Sequence, residues 1–182
     1  MTPPLPDKRY AVLLADPPWT FQTYSDKGKG RSAERHYPCM SRLELRTTPV
    51  GSIASRSCVL LLWTTMPMLE QALSLMEWWG FEYKTVAFTW VKIKDGKPQI
   101  GTGYWTRANA ELCLLGTRGH PRRIAKDVSQ IILAPRREHS RKPGEAYSRI
   151  DRLLGTDGPR IELFARPPHP QGWDVWGLDA QP

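Results

Sequence analysis

Apolar positions along the chain fall into short blocks separated by polar stretches rich in proline and glycine, and the blocks show two different periods. Residues 10–15 are almost continuously apolar and read as a strand buried on both faces. Residues 58–64 form a second such run. Thr65 is positioned to cap the helix that follows, with Pro67 in its first turn. Leu69, Ala72, Leu73 and Met76 then recur at helical spacing, and Gly80 ends the helix. Residues 82–91 alternate and are rich in β-branched and aromatic types, so they predict a third strand. Residues 92–107 read as a long glycine-bearing loop, 111–116 and 130–134 as strands, and 136–142 as a basic loop. Pro143 starts a helix that buries Ala146, Tyr147, Ile150, Leu153 and Leu154 and stops at Gly155. Residues 160–164 are the last predicted strand. Earlier in the chain, Ser41 and Glu44 form a capping box that opens a short helix. Residues 22–35, polar and containing Gly28 and Gly30, read as a loop of the kind that covers sites.

Strands alternating with helices imply a doubly wound α/β fold with a largely parallel sheet flanked by helices. A length of 182 residues fits one domain, 1–182, with an irregular arm at 1–9 and an irregular tail at 167–182. No glycine-rich dinucleotide turn follows a strand, and no phosphate-binding Walker loop or zinc-protease helix is present.

Charge narrows the partners. The net charge is +8, and the excess clusters at Lys27, Lys29, Arg31 and Arg35 and again between Arg118 and Lys142. Loops of one sign beside a candidate site favour a polyanion, with nucleic acid the commonest; a merely solubilising surface is the bland alternative. The three cysteines, Cys39, Cys58 and Cys113, are too far apart for a zinc pattern and suggest no disulfide framework. The longest clean apolar run, 59–63, is too short to span a membrane, and no basic-then-apolar leader opens the sequence. A cytoplasmic setting without membrane or metal is therefore expected.

The candidate chemistry sits where the first strand stops. Asp16 is followed by Pro17 and Pro18, which cannot continue a hydrogen-bonded ladder, and then by Trp19. Ligands of open α/β sheets bind past the carboxyl ends of the strands, which is where Asp16 falls. A carboxylate and the Pro17 carbonyl can each accept one N–H of an exocyclic amine, while an indole can stack on a ring. This set of groups suits a purine taken out of its stack. A strand-terminal acid capping a turn beside a core tryptophan explains the same four residues equally well.

A resemblance decides between these readings. Asp16-Pro17-Pro18-Trp19 resembles the signature of the adenine-N6 methyltransferases, in the branch of the seventy-kilodalton subunit that methylates adenosine in messenger RNA and its bacterial and phage relatives. In the same order, the segments 36–41, 61–64, 101–111, 139–143, 161–167 and 172–177 are similar to further motifs of that branch. The resemblance implies a Rossmann-like S-adenosylmethionine-dependent fold with permuted motif order, the catalytic segment coming first. It implies methyl transfer from S-adenosylmethionine (SAM) to adenine N6. Asp16, Pro17, Pro18 and Trp19 would then be catalytic. Tyr37, Lys27, Lys29, Arg31, Trp105, Asn109 and Glu111 would meet the target base or its nucleic acid. Lys142 would grip the cofactor carboxylate, Arg166 and His169 its ribose, and Asp179 would serve the ribose where Leu178 cannot. DNA in a bacterial or phage setting is the expected substrate. RNA, a non-catalytic partner subunit of the same fold, an amine acceptor other than adenine, and a homodimer remain alternatives.

Overall fold

A computed structural model describes residues 3–20, 39–101, 103, 105–137, 141–178 and 180. Its strands are β1 (Tyr10–Ala15), β2 (Ala54–Thr65), β3 (Glu82–Lys94), β4 (Lys97–Pro98), β5 (Ala110–Arg118), β6 (Ile131–Pro135), β7 (Arg160–Leu163) and β8 (Asp174–Trp176). Its helices are α1 (Arg42–Thr47), α2 (Leu69–Trp78) and α3 (Glu145–Leu154). The strands form one sheet in the order β4-β3-β5-β2-β1-β7-β8, with β6 pairing β3. The pairings β1–β2, β1–β7, β3–β6 and β7–β8 are parallel; those of β5 with β2 and β3, and of β4 with β3, are antiparallel. The result is the α/β architecture that the alternation of elements implies, Rossmann-like as the resemblance implies, with four of the seven pairings parallel.

β1 is apolar throughout because it lies in the middle of the sheet, between β2 and β7, and is covered on both faces. Leu13 and Ala15 join a core layer with Leu45 of α1 and Leu75 of α2. Val12 and Leu14 point the other way, to Ala146 and Ile150 of α3. This is the period-two alternation of a strand, made invisible in the sequence because both sides are buried.

The capping box at the start of α1 is formed in full. Glu44 N–H donates to Ser41 Oγ at 3.2 Å, and Ser41 N–H donates to Glu44 Oε2 at 2.7 Å. Thr65, by contrast, caps nothing with its side chain: a 3-10 turn, Met66–Met68, intervenes and holds Pro67, so α2 starts only at Leu69. The stretch 92–107 is not all loop. Asp95 and Gly96 both have positive φ, 52° and 73°, which is the backbone of a tight hairpin turn, and it folds Lys97–Pro98 back onto the end of β3. The tail is likewise not wholly irregular. β8 pairs with β7 through Ile161↔Asp174 and Leu163↔Trp176, and the Trp176 ring packs edge-on to Phe164 at 5.3 Å. The Trp176 indole N–H donates to the carbonyls of Pro3 and Pro4 at 3.0 and 3.1 Å, so the amino-terminal arm is fastened to the last strand.

Topology gathers one set of residues. The parallel strands β1, β2, β7 and β8 all end at the same edge of the sheet. Antiparallel β5 begins at that edge, because Thr65 at the end of β2 faces Glu111. β3 arrives there too, with Trp90 opposite Glu111.

Candidate active site

Asp16 is the first residue past β1, and its N–H lies 3.4 Å from the Leu163 carbonyl of β7. Its Oδ2 lies 2.6 Å from Lys142 Nζ. The same ammonium lies 3.3 Å from Glu111 Oε2, and Glu111 Oε1 accepts from Lys92 Nζ at the end of β3. Two carboxylates and two lysines therefore alternate in one chain, Asp16–Lys142–Glu111–Lys92. The Lys142 ammonium lies over the Trp63 ring of β2, Nζ 5.6 Å from its centroid. Only 11% of the Lys142 side chain is exposed, against 32% of Asp16, so the carboxylate is the member that solvent or a substrate can approach.

Burial sets the electrostatics and the charges oppose it. Burial pushes the Asp16 carboxyl above the ordinary carboxylate range, with Lys142 and Arg166 pulling back and Glu111 adding to the rise. Burial pulls the Lys142 ammonium down, but Asp16 and Glu111 outweigh it and hold the lysine protonated. Burial lifts Glu111 as well, yet Lys142 and Lys92 together keep it ionised. Of the two acids, Asp16 is thus the one whose pKa is raised and Glu111 the one whose pKa is lowered.

The proline pair is stiff, but its carbonyls are not wholly open. The Pro17 carbonyl accepts the Trp19 N–H at 2.8 Å, and the Pro18 carbonyl accepts the Met40 N–H at 2.9 Å. Each oxygen keeps one lone pair, so Pro17 can take one further donor. The Trp19 indole N–H donates to the Trp63 carbonyl at 3.1 Å, which anchors the ring to the end of β2.

Of the residues singled out from sequence, Asp16, Pro17, Pro18, Trp19, Glu111 and Lys142 come together, and Arg166 is near enough to bias Asp16. Trp105 stands out from the surface, 93% exposed, with φ 65°. Asn109 meets the cluster through its backbone, its carbonyl accepting the Lys92 N–H at 3.0 Å. His169 is tied to the tail: its Nε2 lies 3.1 Å from the Ala180 carbonyl, while its buried Nδ1 has no hydrogen-bond partner among the described residues. Lys27, Lys29, Arg31, Tyr37 and Asp179 lie outside the described residues.

Lys92 and Trp63 were not foreseen as parts of the site. The alternation of β3 could have placed Lys92 on the face of Trp90, over whose ring its Nζ sits at 5.0 Å. Glu162 was also missed as a titrating group. It lies on β7 in register with Leu14, and its Oε1 accepts from Tyr147 Oη of α3 at 2.9 Å. Burial, only partly offset by the Tyr147 hydrogen bond, pushes its pKa up to about 7.

A stability prediction follows from Glu162. The folded state holds this proton to about pH 7, whereas the unfolded chain releases it near 4.5. Between those values the native state binds more protons, so stability falls as pH rises and levels off above the folded pKa. At 1.36 kcal/mol per pH unit the full loss is about 3 kcal/mol. Glu162→Gln keeps the acceptor for Tyr147 but cannot titrate. Thermal melts at pH 5, 6, 7 and 8 should show the variant gaining on the parent as pH rises. A parent–variant difference that stays constant across this series would refute the assignment.

A mixed, largely parallel α/β sheet carries an acid just past the end of β1 and a lysine bridging to it from just before α3, and the relatives of this chain are methyltransferases. The chain belongs to the MT-A70 family, whose model matches residues 10–179. Its relatives include the Type II methyltransferase M.MunI of a Mycoplasma species, 36% identical over 194 residues, covering 97% of this chain and 80% of that protein. They also include the human N(6)-adenosine-methyltransferase catalytic subunit METTL3, 31% identical over 175 residues, covering 93% of this chain and 28% of that protein. An Arabidopsis thaliana N(6)-adenosine-methyltransferase MT-A70-like protein is 31% identical over 160 residues, covering 86% of this chain and 22% of its own length. The chain thus spans most of the Type II enzyme and about a quarter of these eukaryotic relatives.

Proposed function

We propose that the chain transfers a methyl group from SAM to the N6 amine of adenine in nucleic acid, with Asp16 as the residue that receives the amine. The observation that carries this is the buried Asp16–Lys142–Glu111 chain at the carboxyl edge of the sheet, with Asp16 the exposed end. The donor set fits the cofactor. Lys142 beside the first turn of α3, and Arg166 past β7, supply cations for its carboxylate and ribose hydroxyls. Asp16 supplies an anion for its ammonium and sulfonium charges. When bound, the cofactor supplies an electrophilic methyl group on a positive sulfur.

The residues of the chain do the rest. Asp16 and the remaining lone pair of the Pro17 carbonyl accept the two amine protons and turn the nitrogen lone pair out of the ring plane. The raised pKa of Asp16 makes it a better acceptor as the amine acquires positive charge, so it stabilises the transition state more than the ground state. Glu111, held ionised by two lysines, is placed to accept from the base edge. Trp19, anchored on β2, offers an indole for stacking. Trp105, Asn109 and Tyr37 are proposed on the target side, His169 and Asp179 on the cofactor side.

DNA is placed first as substrate, because a relative matched over most of its own length is a Type II methyltransferase. RNA is the second reading, favoured by the N(6)-adenosine relatives. A second copy or a partner subunit would supply recognition surface beyond this domain. No helix among the described residues is long and apolar enough to cross a membrane, and no cluster of metal-ligating side chains occurs among them. A reducing cytoplasm is the proposed setting. The deciding assay incubates the protein with isotopically labelled SAM and DNA or RNA pools, then digests them and identifies the nucleosides by mass spectrometry. Label in N6-methyldeoxyadenosine is expected; label confined to another nucleoside, or to none, would refute the reading.

The basic loop is tested separately. Replacing Lys27, Lys29 and Arg31 together by alanine should flatten the salt dependence of DNA binding, since each neutralised phosphate contributes about −0.9 to the log–log slope. SAM affinity should not move. An unchanged slope would show that this loop does not touch the backbone.

A further inference from the structure

Lys92 closes the charged chain at the end away from Asp16, and it is held from two sides. It lies on β3 two residues past Trp90, which is in register with Glu111 of β5. Alternate residues of a strand share a face, so Lys92 is the diagonal neighbour of Glu111 on the face that both Trp90 and Glu111 occupy. The Lys92 N–H donates to the Asn109 carbonyl at 3.0 Å, and its ammonium sits 5.0 Å from the Trp90 ring centroid. That ring is tied in turn to β6, its indole N–H donating to the Ala134 carbonyl at 3.0 Å. The lysine is thus built into the sheet, with only 20% of its side chain exposed.

Glu111 divides its carboxylate between two cations. Its Oε1 accepts from Lys92, and its Oε2 lies 3.3 Å from Lys142 Nζ. Lys142 leans the other way, to Asp16 Oδ2 at 2.6 Å. Neither carboxylate is well exposed, and a buried anion deprived of its cation is strongly unfavourable. Two such anions on one lysine would compete for it. Asp16 has a second cation in Arg166, which also draws on its charge. Glu111 has Lys92, and with that partner in place it is paired however Lys142 leans.

We propose that Lys92 is a positioning residue for methyl transfer: it pins Glu111 from the side away from Asp16, so that Lys142 can serve Asp16 without leaving a buried carboxylate unpaired. The proposal rests on the reading that Asp16 receives an adenine amine. Lys92 acts through Glu111 and Lys142 and needs no contact with base or cofactor.

The test combines crystal structures of Lys92 variants of the full chain at pH 8 with single-turnover methylation at saturating SAM. In Lys92→Met, Lys142 should move to Glu111 and away from Asp16, reversing the order of the 2.6 and 3.3 Å separations. The transfer rate should fall about 10- to 100-fold, the scale on which misplacement of a reacting group slows a reaction, with nucleic-acid affinity unchanged. Lys92→Arg, which keeps a cation on Oε1, should restore both the geometry and the rate. The double variant Lys92→Met/Glu111→Gln removes the buried anion together with its cation and keeps the test open should Lys92→Met not fold; in it Lys142 should lie on Asp16 again. Lys142 still on Asp16 in Lys92→Met, a reversal that leaves the rate at the parent value, or Lys142 away from Asp16 in the double variant would overturn the positioning role while adenine methylation itself stands. A parent that methylates no adenine would overturn the reading of Asp16 and the positioning role together.

Discussion

Asp16→Asn should bind nucleic acid and SAM yet transfer methyl groups about 10²–10³ times more slowly, the usual cost of removing one preorganised group aimed at developing charge. Asparagine has nearly the size of aspartate but lacks its charge and the capacity to take up a proton. Its amide oxygen can still accept from Lys142, so the ammonium keeps a partner there and a second one at Glu111, 3.3 Å away. The fold should therefore survive: the side chain sits past the end of β1, one-third exposed, and contributes nothing to the two apolar layers. Catalysis should not survive at the parent level. As the amine is methylated it becomes cationic, and the asparagine NH2 would face that charge with a positive dipole in place of a carboxylate. Single-turnover methylation, quantified by mass spectrometry of digested nucleosides, reads the effect directly. A rate within a few-fold of the parent's, with normal cofactor and DNA affinity, would mean that the strand-end acid is structural.

How far the sequence discloses this site depends on which contacts are local. β1 is legible because six consecutive residues are buried, and Asp16-Pro17-Pro18 marks its end by removing ladder donors. The α1 capping box is legible because it is written within four residues. β8 is not, since three residues between glycine and proline turns carry too little periodicity; it exists because β7 offers an open edge and Trp173 and Trp176 need cover. The hairpin of β3 and β4 was hidden by a glycine-bearing composition that also describes loops, although Asp95-Gly96 was the available signal. The charged cluster is the least local feature. Lys92, Glu111 and Lys142 come from three different elements, and only the antiparallel insertion of β5 between β2 and β3 brings Glu111 to the edge where β1 ends. Charge patterning along the chain cannot reveal a register between strands.

That insertion sets the two acids on one cation. The Glu111 charge raises the Asp16 pKa, and Lys142, bound between the two carboxylates, pulls both down. In this arrangement Lys142 holds Asp16 Oδ2 at 2.6 Å, so in the proposed reaction one side chain bears on both the cofactor carboxylate and the acceptor.

Lys142→Met tests that coupling. Methionine retains an unbranched apolar stem and fills most of the buried space, so packing is largely preserved while the charge, and its contact with the Trp63 ring, is lost. Two effects are expected. SAM affinity should fall by roughly 10- to 150-fold, corresponding to loss of a charge-assisted contact of about 1.5–3 kcal/mol. The pH profile should also move in a definite direction. Lys142 pulls the Asp16 pKa down, so its removal leaves burial and the Glu111 charge to push that pKa further up. Activity that needs the Asp16 carboxylate should then fail at a higher pH than in the parent, shifting the acid limb of the profile toward neutrality. Glu111 keeps Lys92 and should stay ionised. Calorimetric titration with SAM reads the first effect, and rates measured from pH 5 to 9 at saturating SAM read the second. A purely structural lysine would lower the melting temperature and leave both readouts in place, so parent-like affinity with an unmoved acid limb would remove Lys142 from the site.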